Sequence, residues 1–142
     1  METQNNLSTQ LLDASAKEHI CLLSAQLDEM YQKMKAERNA LARWEEEQEF
    51  SILGVIELFS TDIQGYAEQI LLSTSNILLD SNSINHLQEL NVFNIDYFTQ
   101  WYFQNLEIYP QFQKYVEQLD HLRLLLIDYL RSSSQAGIVL KK

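Results

Sequence analysis

Residues 16–44 read AKEHICLLSAQLDEMYQKMKAERNALARW. Counting alternately four and three from Ala16 lands on Ile20, Leu23, Leu27, Met30, Met34, Glu37, Leu41 and Trp44, apolar at every position but Glu37. Such a spacing, averaging about 3.5 residues, describes a helix pressing a narrow seam against another helix. No Gly or Pro interrupts the chain before Trp44, and Asn5, Asn6 and Ser8 are acceptable N-caps after a frayed lead-in at 1–7. A first helix is therefore expected from Ser8 to Trp44, with Asp13–Lys17 and Glu29–Lys33 as acid-before-base pairs on its solvated face. At a rise of about 1.5 Å per residue it would span roughly 55 Å. That exceeds a compact small domain, so the molecule should be elongated, or the helix broken, or the overhang covered by a partner such as a second copy in a homodimer.

The count fails after Trp44. The next apolar series, Ile52, Ile56, Phe59, Ile63, Tyr66 and Ile70, keeps the spacing but is shifted by one residue, with Glu45, Glu46, Glu47 and Glu49 across the shift. Acids oppose the macrodipole at a helix C-terminus and favour it at an N-terminus. A helix should end near Trp44 and a second start close to Glu45–Glu47, running to about Leu79, unless one kinked helix continues. Gly54 and Gly65 lie three turns apart on this second helix and suggest close approach of a neighbour. Asp80-Ser-Asn-Ser83 is the clearest loop signal, with Ser83 capping a short helix through Leu90. Asn94 is a good cap for a third long helix, and Pro110 for the first position of a fourth over 110–131. Ser132–Ser134 and Gly137 should end that helix, leaving 135–142 as a flexible tail. The expected architecture is all-α: one domain over 1–134, an elongated bundle of about four helices whose first two form a long antiparallel hairpin.

The chain of 142 residues is long enough for a core of its own, and 46% hydrophobic residues rule out wholesale disorder. Its one cysteine, Cys21, beside Ile20, makes no intrachain disulfide and reads as a small buried hydrophobe. No apolar run approaches the roughly 18 residues of a membrane span, and residues 1–7 lack signal-peptide character, so a cytoplasmic protein is expected.

Net charge is −10, and its distribution says more. From Trp44 to Gln113 there is no Lys or Arg, while eleven acids fall in that span. Such a surface repels phosphate backbones and anionic lipid and steers a basic partner in. Nine of the fifteen aromatic residues lie between Phe93 and Tyr115, and the run Trp101-Tyr102-Phe103 fans over more of a helix than one core stripe needs. Stacking on bases would need basic residues among the rings, and there are none. Aromatic anchors at a protein interface are the alternative to core alone.

Chemistry finds little to start from. Glu45-Glu46-x-x-Glu49 is similar to the EExxE box of all-α nucleotide pyrophosphatases, in which carboxylates hold Mg²⁺ against a phosphate chain. That family pairs the box with ExxD on the next helix, and here Phe59 and Ile77 stand three residues before Asp62 and Asp80. The acidic run therefore reads as a solvated face. None of His19, His86 and His121 has Glu three before it, as a di-iron bundle requires, and Glu117–His121 alone reads as a surface pair. Neither a phosphate loop nor a nucleophile motif is present, so no enzyme, cofactor or metal is expected. The expected function is binding of a basic protein partner, as adaptor, chaperone or inhibitor. Partner contacts are assigned to Glu45, Glu46, Glu47, Glu49, Tyr97, Trp101 and Tyr102. A scaffold subunit assembling through its own seam is the competing class, a metal-dependent hydrolase a distant third.

Overall fold

A computed structural model describes residues 2–72 and 81–135, and the side chains of 14–72 and 82–132 among them. All described secondary structure is helical: α1 (Glu2–Lys33), α2 (Lys35–Glu45), α3 (Ile52–Leu72), α4 (Ser81–Glu89), a 3₁₀ turn (Val92–Asn94), α5 (Asp96–Gln104) and α6 (Pro110–Gln135). The expected first helix starts earlier, at Glu2, where nothing in the sequence breaks it, and is interrupted at Met34. Met34 has φ −93° and ψ 8°, outside the helical basin. Its N–H still reaches the Met30 carbonyl at 3.0 Å and its carbonyl accepts Arg38 N–H at 2.8 Å, so the interruption is one residue within a continuing hydrogen-bond ladder.

The heptad seam is the core side of these helices: Ile20, Leu23, Leu27, Met34 and Leu41 are buried, and Met30 and Trp44 partly so. What covers it is chiefly α6, then α3. Contacts to α6 run in reverse sequence order, with His19 beside His121, Gln26 bonded to Gln118 and Tyr31 against Tyr115, so α1 and α6 are antiparallel. The stripe Phe112, Tyr115, Val116, Leu119, Leu122, Leu126 and Leu130 supplies the apolar face that α1 needs.

Glu37, the exception on the seam, has a specific task. Its Oε1 accepts the N–H groups of Gln111 (2.9 Å) and Phe112 (3.0 Å), and Oε2 also accepts Gln111 (3.1 Å). Pro110 has no N–H to satisfy, so this carboxylate completes the first turn of α6 and opposes its positive dipole end.

The second helix begins at Ile52, later than expected, because the acidic run is the connection rather than a first turn. Its cap comes from two residues. Ser51 Oγ accepts Gly54 N–H at 2.8 Å and donates to Glu45 Oε2 at 3.1 Å, while Glu45 Oε1 accepts Leu53 N–H at 2.6 Å. The buried stripe of α3 is Ile52, Leu53, Ile56, Ser60, Ile63, Ala67 and Ile70, with Phe59 and Tyr66 only half-buried. Neither glycine marks a close approach. A Cβ at Gly65 would meet nothing within 4 Å, and at Gly54 only the Ser51 side chain. The end expected near Leu79 lies outside the described residues, as does Asp80, and Ser81–Ser83 are helical rather than looped.

The third long helix is not formed. Asn94 sits in the 3₁₀ turn, which is capped by Asn91 accepting Phe93 N–H at 3.0 Å, and α5 has nine residues. Asn105 ends α5 by donating from Nδ2 to the Trp101 carbonyl at 2.7 Å. The last helix starts at Pro110 as expected and continues through the serines to Gln135; residues 136–142 lie outside the described chain. Arg123 is buried in it, pairing with Asp120 at 2.9 Å and donating to the Leu87 carbonyl near the end of α4 at 3.3 Å. Cys21 is exposed rather than buried, because it falls one residue off the seam. Among the described residues no helix is long and apolar enough to cross a membrane.

Candidate functional site

The acidic connection and the aromatic cluster meet. Helix α2 ends at Glu45, and two turn hydrogen bonds, Glu47 N–H to Trp44 O at 3.4 Å and Gln48 N–H to Glu45 O at 2.9 Å, fold the chain back toward Ser51. This turn points Glu46, Glu47 and Glu49 into solvent and tucks Phe50 inward. Phe50 lies 4.7 Å from Tyr97 between ring centroids and 6.3 Å from Trp44, and Trp44 lies 6.0 Å from Trp101. Tyr97, in the first turn of α5 beside the exposed Asp96, is 36% exposed. The result is an aromatic ledge, Phe50 and Tyr97, edged by carboxylates. Arg43, exposed two residues before the acidic run, is the nearest base in sequence.

The residues assigned to a partner fall into three groups. Glu46, Glu47, Glu49 and Tyr97 are on this surface. Glu45 holds the start of α3, so its charge is engaged within the fold. Trp101 and Tyr102 are 7% and 4% exposed and belong to the core, which corrects their assignment as surface anchors. Their part of the fan is filled by Phe98, stacked on Tyr102 at 5.7 Å, and by Phe112 and Tyr109 against Trp101. The ring left outside is Phe103, 62% exposed. Neither Phe50 nor Asp96 was assigned from sequence; the pairing of Phe50 with Tyr97 joins segments 47 residues apart, which no local pattern reveals.

Burial without compensation marks Tyr102. Its hydroxyl has no hydrogen-bond partner among the described residues, and desolvation, with the Glu117 charge adding, pushes the phenol up to about 12. Between α2 and α3, Arg38 binds Glu57 at 2.7 Å, and this hydrogen bond raises the guanidinium further above its ordinary value.

For metal chemistry, no group of three or more His, Cys, Asp or Glu among the described residues could hold an ion. His19 sits edge-on to His121 at 5.9 Å, His86 Nδ1 is 2.7 Å from the Tyr66 hydroxyl, and Glu117 accepts from Gln113. The carboxylates of Glu45–Glu49 diverge, Glu45 turning to the α3 N-terminus and the others to solvent. No protein family, curated protein or solved structure matches the chain.

Proposed function

We propose that this chain is an acidic helical protein-binding module that engages a basic protein partner through the turn 46–50 and Tyr97. The observation that carries it is the meeting of three solvent-facing glutamates with a partly exposed aromatic ledge, in a segment of seventy residues without a Lys or Arg. Charge of one sign gathers a basic surface from a distance, and aromatic area supplies the short-range contact. The working role is that of an adaptor, chaperone or inhibitor covering a basic surface.

Self-assembly through the long seam is the weaker reading, since α6 and α3 already cover Ile20, Leu23, Leu27, Met34 and Leu41. Affinity capture from the native source, followed by rate constants for the partner so found, tests the proposal. Glu46→Gln, Glu47→Gln and Glu49→Gln together should slow association and flatten its salt dependence, while Tyr97→Ala should speed dissociation. Folded variants that leave both rate constants unchanged would remove this surface from the function.

A further inference from the structure

The outer face of α3 has the spacing of a second helix seam. Gly54, Leu58, Thr61, Gly65, Glu68 and Leu72 follow one another at alternate steps of four and three, on the side opposite the buried stripe. Both large apolar side chains of this face stand in solvent, Leu58 at 60% and Leu72 at 71% exposed. Glycine ranks next to proline as the least favourable residue in a helix. Neither glycine is demanded by a neighbour within the fold: a Cβ at Gly65 would meet nothing within 4 Å, and one at Gly54 only the Ser51 side chain.

The order of sizes along the face fits a second copy of itself. Turned antiparallel about a two-fold axis at the level of Ile63, two such helices set Gly54 against the partner's Leu72. The same turn sets Leu58 against the partner's Glu68, and Thr61 against the partner's Gly65. Each glycine then stands opposite a larger side chain, and both exposed leucines gain cover, Leu72 in the space at Gly54 and Leu58 along the stem of Glu68. This self-complementarity is what a closed two-fold interface requires. A parallel pair would set glycine on glycine and Glu68 on Glu68, leaving gaps and two repelled acids.

Charge favours the same register. Glu68 is the only charged residue on the seam, and antiparallel pairing carries it to the level of Leu58, on the flank where Arg38 holds Glu57. Arg38 puts Nε and Nη2 on Glu57 Oε1 at 2.9 and 2.7 Å, two of the five N–H donors of a guanidinium, so its fork can serve a second carboxylate. The one like-charged approach, Asp62 toward its own copy, lies on the other flank at the solvent rim, where ion interactions are weak.

We propose that α3 pairs antiparallel with α3 of a second copy, forming a two-fold dimer with Arg38 of each chain bridged to the partner's Glu68. This face is distinct from the seam of α1 and α2, which α6 and α3 cover, and the dimer does not depend on the basic-partner reading. It leaves the turn 46–50 of the two copies at opposite ends of the pair.

Sedimentation equilibrium of the full chain tests it. A single helix pair makes a small interface, so the expected dissociation constant is on the order of 10 µM. Gly65→Gln places a good helix former in open space, so it should keep the circular dichroism spectrum and Tm of the monomer while weakening the dimer at least about tenfold. Leu58→Glu, at an exposed position, and Glu68→Arg, which sets cation against Arg38, should each weaken it by about the same factor. Register is read by oxidative cross-linking in a Cys21→Ser background, mixing chains that carry Leu58→Cys with chains that carry Glu68→Cys. Mixed 58–68 disulfides should dominate over 58–58 and 68–68. A chain still monomeric at about 500 µM, fifty times the expected constant, would overturn the proposal. So would a dimer indifferent to any of the three substitutions, or a preference for like-with-like disulfides.

Discussion

Replacing Glu37 isolates a contact that joins two segments more than seventy residues apart. The carboxylate is half-buried and serves the only two N–H groups of the first turn of α6 that lack an intrahelical acceptor, since Pro110 has none and Gln113 N–H already reaches Tyr109 O at 2.9 Å. An ordinary cap is worth about 1 kcal/mol, a charged acceptor roughly doubles a hydrogen bond, and the helix dipole adds up to about 1 kcal/mol. Glu37→Ala should therefore cost about 2–3 kcal/mol, and Glu37→Gln, which keeps an acceptor but loses the charge, about 1 kcal/mol. For a chain of this size that is a fall in Tm of roughly 4–12 °C for the alanine variant. Urea denaturation followed by circular dichroism measures it, with Glu47→Ala as a surface control that should stay within about 0.5 kcal/mol. If Glu37→Ala matches that control with an unchanged m-value, the capping account is wrong and Glu37 is an ordinary surface acid.

Tyr102→Phe removes a buried hydroxyl without a partner among the described residues and should leave stability unchanged or raise it by about 1 kcal/mol. The folded phenol is raised to about 12 against about 10 unfolded, so its stabilising contribution is complete below pH 10 and lost as pH climbs toward 12. Unfolding curves at pH 8 and pH 11 should show a smaller alkaline loss in Tyr102→Phe, and equal losses would count against the buried phenol. Arg123→Ala leaves the Leu87 carbonyl and Asp120 without their partner and should cost about 3 kcal/mol, whereas Arg123→Met should cost less by equilibrium denaturation. The Cys21 thiol, exposed on α1, should react stoichiometrically with a thiol reagent in the native protein, and a demand for denaturant would contradict its placement.

The parts of the fold legible in the sequence are those set by periodicity over many residues. The seam from Ile20 to Trp44 and the stripe from Phe112 to Leu130 are the core faces, and Pro110 marks a helix start by its missing N–H. Where the reading failed, a distant contact outweighed the local signal. Asn94 is a good cap in isolation, yet the adjoining turn is capped by Asn91, and Thr99 reaches back to the Phe93 and Ile95 carbonyls to set where α5 begins. On α3 the aromatic residues Phe59 and Tyr66 fit the expected spacing, but Ser60 and Ala67 take the buried positions. The Ser60 hydroxyl finds Tyr115 on a helix 55 residues away, which hydropathy alone cannot register. The acidic turn was legible as charge; its aromatic ledge was not, because the anchors expected from composition, Trp101 and Tyr102, turned inward and Phe50 took their place beside Tyr97.

The two positions that troubled the heptad count have one physical explanation. Glu37 interrupts the seam and Glu45 stands where the spacing slips, and each carboxylate lies on the N-terminus of another helix, Glu37 on α6 and Glu45 on α3. Helix α2 thus supplies from a distance the anionic end groups that Pro110–Phe112 and Ile52–Gly54 need, in the second case together with Ser51. An acid on an apolar seam is costly unless it meets donors, and unsatisfied first-turn N–H groups are costly unless they meet an acceptor. Each defect removes the other. This bears directly on the proposed surface, because Glu45 belongs to the frame and Glu46, Glu47 and Glu49 to the face. Neutralising Glu45 would loosen the start of α3 and displace Phe50 from Tyr97, so a loss of binding in that variant would report on the ledge. Only the other three glutamates separate steering from folding.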